Sequence, residues 1–139
     1  MLKLLDANVL MHMANRADGY EQIRDTYAMQ LPGVTVLSAV TVCELHYKIG
    51  LRNGKKPHRK ENVERLEQLV RFLGVMPFDD AAARRAADLR CALELIGKPI
   101  GLVDTLLAGH ALALGATVVT DNEGEFRRVG GLKVENWRR

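Results

Sequence analysis

Apolar residues in this chain fall into two kinds of run: short blocks of three or four, and longer stretches with helical spacing. The first block is Leu2, Leu4 and Leu5, ended by Asp6. A block that short, with no room for a helix before it, predicts a buried strand. Ala7 to Met13 predicts a helix, so Asp6 stands where strand hands over to helix, with Asn8 just beyond. Asp18-Gly19 turns the chain into a second helix, Tyr20 to Gln30, which Leu31-Pro32-Gly33 ends. Val34 to Leu37 is β-branched and apolar, a second strand. Ser38 to Ile49 follows as a helix with Val42, Leu45 and Ile49 on one face. Gly50 to Pro57 predicts a basic loop turning at Asn53-Gly54.

Lys60 to Leu73 is strongly amphipathic, with Val63, Leu66, Leu69, Val70 and Leu73 on one side, and Gly74 stops it. Val75 to Phe78 predicts a third strand, and Asp79 an N-cap for an alanine-rich helix from Asp80 to Ile96. Gly97-Lys98-Pro99 breaks that helix before the next, Leu102 to Leu114, which Gly115 caps. Thr117 to Thr120 predicts a fourth strand, Asp121 to Phe126 a turn or single helical turn, and Leu132 to Glu135 a fifth strand. Strands alternating with helices call for an α/β fold: a three-layer α/β/α sandwich with a mainly parallel sheet of about four to five strands.

Length fits a single domain, residues 1–139, with enough chain for a core that needs neither disulfides nor structural metal. Cys43 and Cys91 match no metal spacing and are expected to be reduced, in a cytoplasmic protein without a signal peptide. The greasy stretch from Ile100 to Val119 contains Asp104 and His110. An ionised Asp in a membrane helix costs on the order of 3 kcal/mol, so no membrane span is expected. Net charge is only +3, but Lys48, Arg52, Lys55, Lys56, Arg59 and Lys60 form a run with no acid among them. Such a run is either a phosphate-binding patch or a solvated loop and helix start.

Four acids, Asp6, Glu44, Asp104 and Asp121, fall where strands meet helices or in the first turns of helices. Sites in open parallel sheets form at that edge. Each acid also has a structural use. Asp6 can cap its helix, and Glu44 can close a capping box with Thr41. Asp104 complements a helix dipole, and Asp121 suits a turn with Asn122. Carboxylates brought together would raise one another's pKa, and a divalent cation removes that conflict. All-oxygen ligands suit Mg²⁺ or Mn²⁺, and such a site suits phosphoryl chemistry. His12, His46, His58 and His110 show no paired spacing, so zinc is not expected, and His110 reads as a core residue.

The strings LLDANVL around Asp6, LSAVTVCEL around Glu44, IGLVDTLLAGHAL around Asp104 and VVTDNEGEF around Asp121 occur in order along the whole chain. At these residues the sequence resembles a PIN domain, and specifically the VapC-type toxins of bacterial toxin–antitoxin pairs. The ending RRVGGLKVENW is similar too. The resemblance implies Mg²⁺- or Mn²⁺-dependent endonucleolytic cleavage of RNA, a structured tRNA or rRNA, leaving a 5′-phosphate and a 3′-hydroxyl. It makes Asp6, Glu44, Asp104 and Asp121 the acidic cluster, with Asp6 and Asp104 closest to the metal. Asn8 and Thr120 become supporting hydrogen-bond partners. Glu125, just before Phe126, rivals Asp121 as the fourth acid and also fits a cap with Asn122. Two residues depart from the family pattern: Ala7 stands where Ser or Thr is common, and Gly109 where Ala is usual.

The resemblance further implies a cognate VapB-like antitoxin and a homodimer. Val9, Met11, Met13, Ile23, Tyr27 and Met29 are the candidate anchors for the antitoxin, and Tyr47 the candidate for base stacking. The rival readings are a PIN-fold binding protein with weak or no cleavage, a DNA-directed nuclease of the same fold, and a phosphatase with Asp6 as covalent nucleophile. The last would usually carry a second acid at the place of Asn8.

Overall fold

The computed structural model describes residues 1–55 and 60–139. Strand β1 (Lys3–Leu5) leads into helices α1 (Ala7–Asn15) and α2 (Tyr20–Ala28). Then come β2 (Thr35–Ser38), α3 (Ala39–Lys55), α4 (Lys60–Leu73), β3 (Val75–Met76) and α5 (Asp80–Leu95). The chain closes with α6 (Leu102–Leu114), β4 (Thr117–Val119), α7 (Glu123–Phe126) and β5 (Lys133–Glu135). All pairings are parallel, in the order β3-β2-β1-β4-β5. The strand order reverses between β1 and β4, and a crevice opens at the carboxyl ends of strands at such a point.

Side chains alternate across a strand, so neighbours enter opposite layers. Leu5, Leu37 and Val119 pack with Val9, Leu10, Ile23, Leu45, Leu66 and Trp137 on one face. Leu4, Val36 and Val118 pack with Leu93, Leu107, Ala111 and Phe126 on the other. Between α5 and α6 the backbones come close. A Cβ on Gly109 would stand 2.5 Å from the Ala86 Cα and 2.6 Å from its nitrogen, so the glycine is required at this crossing.

Of the boundaries that differ from the sequence pattern, two have a clear physical cause. The loop expected from Gly50 is helical to Lys55, because a helix already running carries a glycine at only ~1 kcal/mol. The rest of that loop, with Lys56 of the basic run, lies outside the described residues, as do His58 and, from the same run, Arg59. Strand β3 stops at Met76 because Pro77 has no N–H to continue the ladder. Among the described residues no helix is long and apolar enough to cross a membrane.

Candidate active site

Asp6 follows the last residue of the central strand and is buried, with 9% of its surface exposed. Its Oδ1 accepts the Ala7 N–H at 2.8 Å, and its Oδ2 accepts the Thr120 hydroxyl at 2.8 Å from the end of β4. The Thr120 hydroxyl in turn accepts the Asn122 N–H at 2.9 Å. The strand pairing β1·β4 thus fixes one carboxylate rigidly at the crevice. Burial pushes the Asp6 carboxyl above its ordinary value, against the lowering effect of Thr120, Ala7 and Lys48.

Asp104 sits in the first turn of α6 and meets the chain leaving β4. The Asn122 amide donates to Asp104 Oδ2 at 3.1 Å and to Glu125 Oε2 at 3.2 Å, clamping the two acids together. Burial, the Glu125 carboxyl against it and the charge of Asp6 push Asp104 up from 3.8 to about 7. The hydrogen bond with Asp104 holds Glu125 below the usual carboxylate range. The pair therefore shares one proton, which resides on the more buried Asp104.

Glu44 is one turn into α3. Its expected capping box does not form. The helix starts at Ala39, and the Ser38 hydroxyl caps it by accepting the Val40 N–H at 3.0 Å. Thr41 instead donates across to the Leu5 carbonyl at 3.3 Å. Freed from capping, Glu44 faces Lys48 one turn on, at 3.5 Å. Asp6, Asn8, Glu44, Lys48, Asp104 and Asn122 all line one cavity of about 350 Å³.

The family model for the PIN domain matches residues 3–132. The chain belongs to the PIN-domain family. Within it, this PIN domain is 35% identical to the tRNA(fMet)-specific endonuclease VapC of Shigella flexneri over 138 residues, 99% of each chain. It is 32% identical to Ribonuclease VapC2 of Rickettsia felis, over 99% of this chain and 98% of that one. Its fold superposes on a chain of the DNA-bound VapBC complex of Salmonella typhimurium with a TM-score of 0.84, at 31% identity and 99% coverage of both. A chain of VapBC2 from Rickettsia felis bound to a promoter DNA fragment gives 0.81 at 30% identity, again covering 99% of both.

In this PIN domain Asp6, Glu44 and Asp104 line the cavity; Asp121 does not line it, although its charge reaches Asp6 and helps to raise that carboxyl. The Asp121 carboxylate is engaged by Arg138 at 3.0 Å, from the C-terminal tail. Glu125 stands against Asp104 instead, and α7 begins without a side-chain cap from Asn122. Thr120 lies where a supporting hydrogen bond was expected. Asn8 makes its side-chain hydrogen bond elsewhere in the cavity, its amide oxygen accepting the Lys48 ammonium at 2.8 Å. Two residues of the cavity were not expected beside the acids: Lys48, which the sequence places in the basic run, and Asn122. The Glu44-to-Lys48 spacing of one helical turn carried the signal for the first. Asn122 looked like a turn and cap residue.

The donors lining the cavity are hard oxygens, from Asp6, Glu44 and Asp104, with Glu125 behind Asp104, and no thiol or imidazole lines it among the described residues. Buried acids held above their ordinary range mark a place short of positive charge. Donor type and charge therefore both fit Mg²⁺ or Mn²⁺. The carboxylates surround a shared space rather than touching a point: among the described residues no three Asp, Glu, His or Cys side chains stand at metal-enclosing distance.

A second feature lies across α1, α2 and α4. Met13, Ala14, Tyr20, Leu69 and Phe72 line a groove of about 610 Å³, edged by Arg16, Arg24 and Arg65. Of the anchors expected from the sequence, only Met13 lines it. Val9 and Ile23 are core residues, Met11 and Tyr27 pack against the core, and Met29 is exposed outside the groove. Tyr47 is exposed on α3, and His110 is buried with its Nδ1 2.8 Å from the Ser38 hydroxyl.

Proposed function

We propose that this chain is the toxin of a toxin–antitoxin pair, an endoribonuclease that uses Mg²⁺ or Mn²⁺ to hydrolyse phosphodiester bonds in a structured tRNA or rRNA. The observation that carries this is the cavity at the β1/β4 crossover, where Asp6, Glu44 and Asp104 face one another and Asp104 holds its proton up to about 7. Full-length similarity to proteins named as VapC endonucleases and ribonucleases supports it.

Asp6 and Asp104 would hold the cation, with Glu44 and Glu125 at its edge. Bound there, the cation supplies a water of lowered pKa and neutralises charge gathering on the phosphate. The remaining work belongs to the chain. Ala7 and Thr120 keep the Asp6 carboxylate from rotating. Asn122 keeps Asp104 and Glu125 at a fixed spacing. Glu44 orients the attacking water and accepts its proton.

The groove across α1, α2 and α4 is the site we assign to a VapB-like antitoxin. Its apolar floor suits the apolar face of a helix, and its three arginines suit acids beside that face. The structural relatives from Salmonella typhimurium and Rickettsia felis are VapBC complexes.

The test is incubation of purified, partner-free protein with total bacterial RNA in Mg²⁺, Mn²⁺ or EDTA, beside Asp6→Asn and Asp104→Asn. Discrete RNA fragments that need metal and disappear in both variants are expected, with single-stranded DNA left intact. Cleavage that survives EDTA or both substitutions would remove the metal site. Folded protein that cleaves nothing would leave a binding protein.

A further inference from the structure

The cavity raises a difficulty that its acids cannot solve. RNA is a polyanion, and a site walled by Asp6, Glu44 and Asp104 repels it. Among the described residues lining the cavity, Lys48 carries the one cationic side chain. It projects from α3 one turn after Glu44, on the same face, so the helix delivers both groups into one space. Its ammonium donates to the Asn8 amide oxygen at 2.8 Å and stands 3.5 Å from Glu44 Oε1. An ammonium has three donors. The Asn8 contact holds the group in place without neutralising it, because the amide is uncharged. The Glu44 contact is long for a charge-assisted bond. What remains is a cation tethered beside the reacting centre, with at least one N–H uncommitted among the described residues.

We propose that Lys48 is a substrate-binding residue that takes a phosphate oxygen of the RNA, held ready on Asn8 and resting on Glu44 until the strand arrives. This rests on the reading of the cavity as a ribonuclease site and adds a specific phosphate contact to it. Tethering by Asn8 spends the ordering entropy of a long side chain before the substrate binds. It also gives Asn8 a purpose: a positioning residue that acts through Lys48 rather than through Asp6. The alternative is an ordinary pair one helical turn apart, worth a few tenths of a kcal/mol to the helix and indifferent to RNA.

The two are separated with the full-length protein and its Lys48→Met and Lys48→Arg variants. Binding of a short labelled single-stranded RNA is measured in Ca²⁺, without turnover, over a range of salt concentrations. Mn²⁺ binding is followed separately by electron paramagnetic resonance. Lys48→Met is expected to weaken RNA binding about tenfold, the loss of one hydrogen bond to a charged group. Its slope of log affinity against log salt should fall by about 0.7, one phosphate contact on a single strand. Lys48→Arg should keep both, and Lys48→Met should bind Mn²⁺ at least as tightly, since a cation competing for Glu44 is gone. An unchanged RNA affinity and salt slope in Lys48→Met, with Mn²⁺ still bound, would overturn the proposal and leave the metal site standing. Wild-type protein that binds no Mn²⁺ would instead overturn the metal site, and the salt slope would still decide for or against Lys48.

Discussion

Asp104→Asn should make the metal-free protein more stable at alkaline pH while abolishing its activity. A carboxyl that titrates near 7 rather than 3.8 costs up to ~4 kcal/mol when it is ionised at pH 8. Asp104 is only half-buried, and solvent screening cuts that ceiling to about 1–2 kcal/mol. The folded state holds this proton to higher pH than the unfolded chain. Its contribution is therefore fully present below pH ~4 and drains away as pH rises through about 7. Asparagine imitates the protonated form. Its amide can donate to Glu125, and its oxygen can still accept from Asn122, so both neighbours keep their bonds. In EDTA at pH 8 the variant should melt roughly 4–8 °C above wild type, and the gap should close towards pH 4. Mg²⁺ should raise the wild-type midpoint and leave the variant unmoved, because only a bound ligand shifts it. Thermal melts by circular dichroism across pH, with and without Mg²⁺, read all of this. A variant less stable than wild type at pH 8, or a gap independent of pH, would refute the account of Asp104.

Glu125→Gln should lower RNA cleavage by roughly tenfold or more, as expected of a partner that orients a metal-binding acid. Asp121→Asn should cost less in the same assay, because Arg138 already occupies that carboxylate. Thr120→Val removes the hydroxyl donor from a buried carboxylate oxygen. It should destabilise the fold by ~1–3 kcal/mol in urea unfolding and reduce cleavage as well. Gly109→Ala gains at most ~1 kcal/mol of helix propensity. It should nonetheless lower stability by a net ~1–2 kcal/mol, because the new Cβ meets the Ala86 backbone, which cannot rotate away. Phe72→Ser should weaken antitoxin binding about tenfold or more, measured by calorimetry, while the melting temperature stays put, since Phe72 is 76% exposed.

The sheet was legible because its strands are short apolar blocks between glycines, prolines and acids. Leu2 to Leu5, Val34 to Leu37 and Thr117 to Thr120 could be neither long helices nor loops, and each overlaps a strand of the sheet. Helix α6 runs from Leu102 to Leu114, as its period and Gly115 indicated. Convergence of acids was legible only as a rule about strand ends, and that rule brings Asp6 and Asp104 together. What lay beyond reach depends on partners distant in sequence. Arg138 reaches back to Asp121, and the Lys48 ammonium crosses from α3 to Asn8 on α1. Gly109 was harmless on paper and proves to be a closest-approach point, because only the structure sets Ala86 against it. Thr41 and Glu44 satisfied a local capping pattern that Ser38 had already made unnecessary. At Asp121, Asn8 and Gly109 a long-range contact decided the outcome, whereas at Glu44 a cap already made locally by Ser38 did.

Asp6 shows why the structural and functional explanations of such an acid need not compete. The two bonds that make it look like a cap, from Ala7 and Thr120, use one lone pair on each carboxylate oxygen. Ala7 is the residue directly after Asp6, whereas a helix cap usually bonds the N–H two or three residues on. The carboxylate is thus pinned at both oxygens but caps weakly, and among the described residues the second lone pair of each oxygen has no partner. Its exposed 9% opens on the shared cavity. A carboxylate used only for stability would be expected to satisfy more of its valence from the chain. This one is fixed in place with capacity to spare, pushed above its ordinary value by burial, and set 2.8 Å from the hydroxyl of Thr120, just past the end of β4. Rigidity with unfilled valence is what the proposed metal ligand requires, and the handover from a three-residue strand to the first turn of α1 provides it.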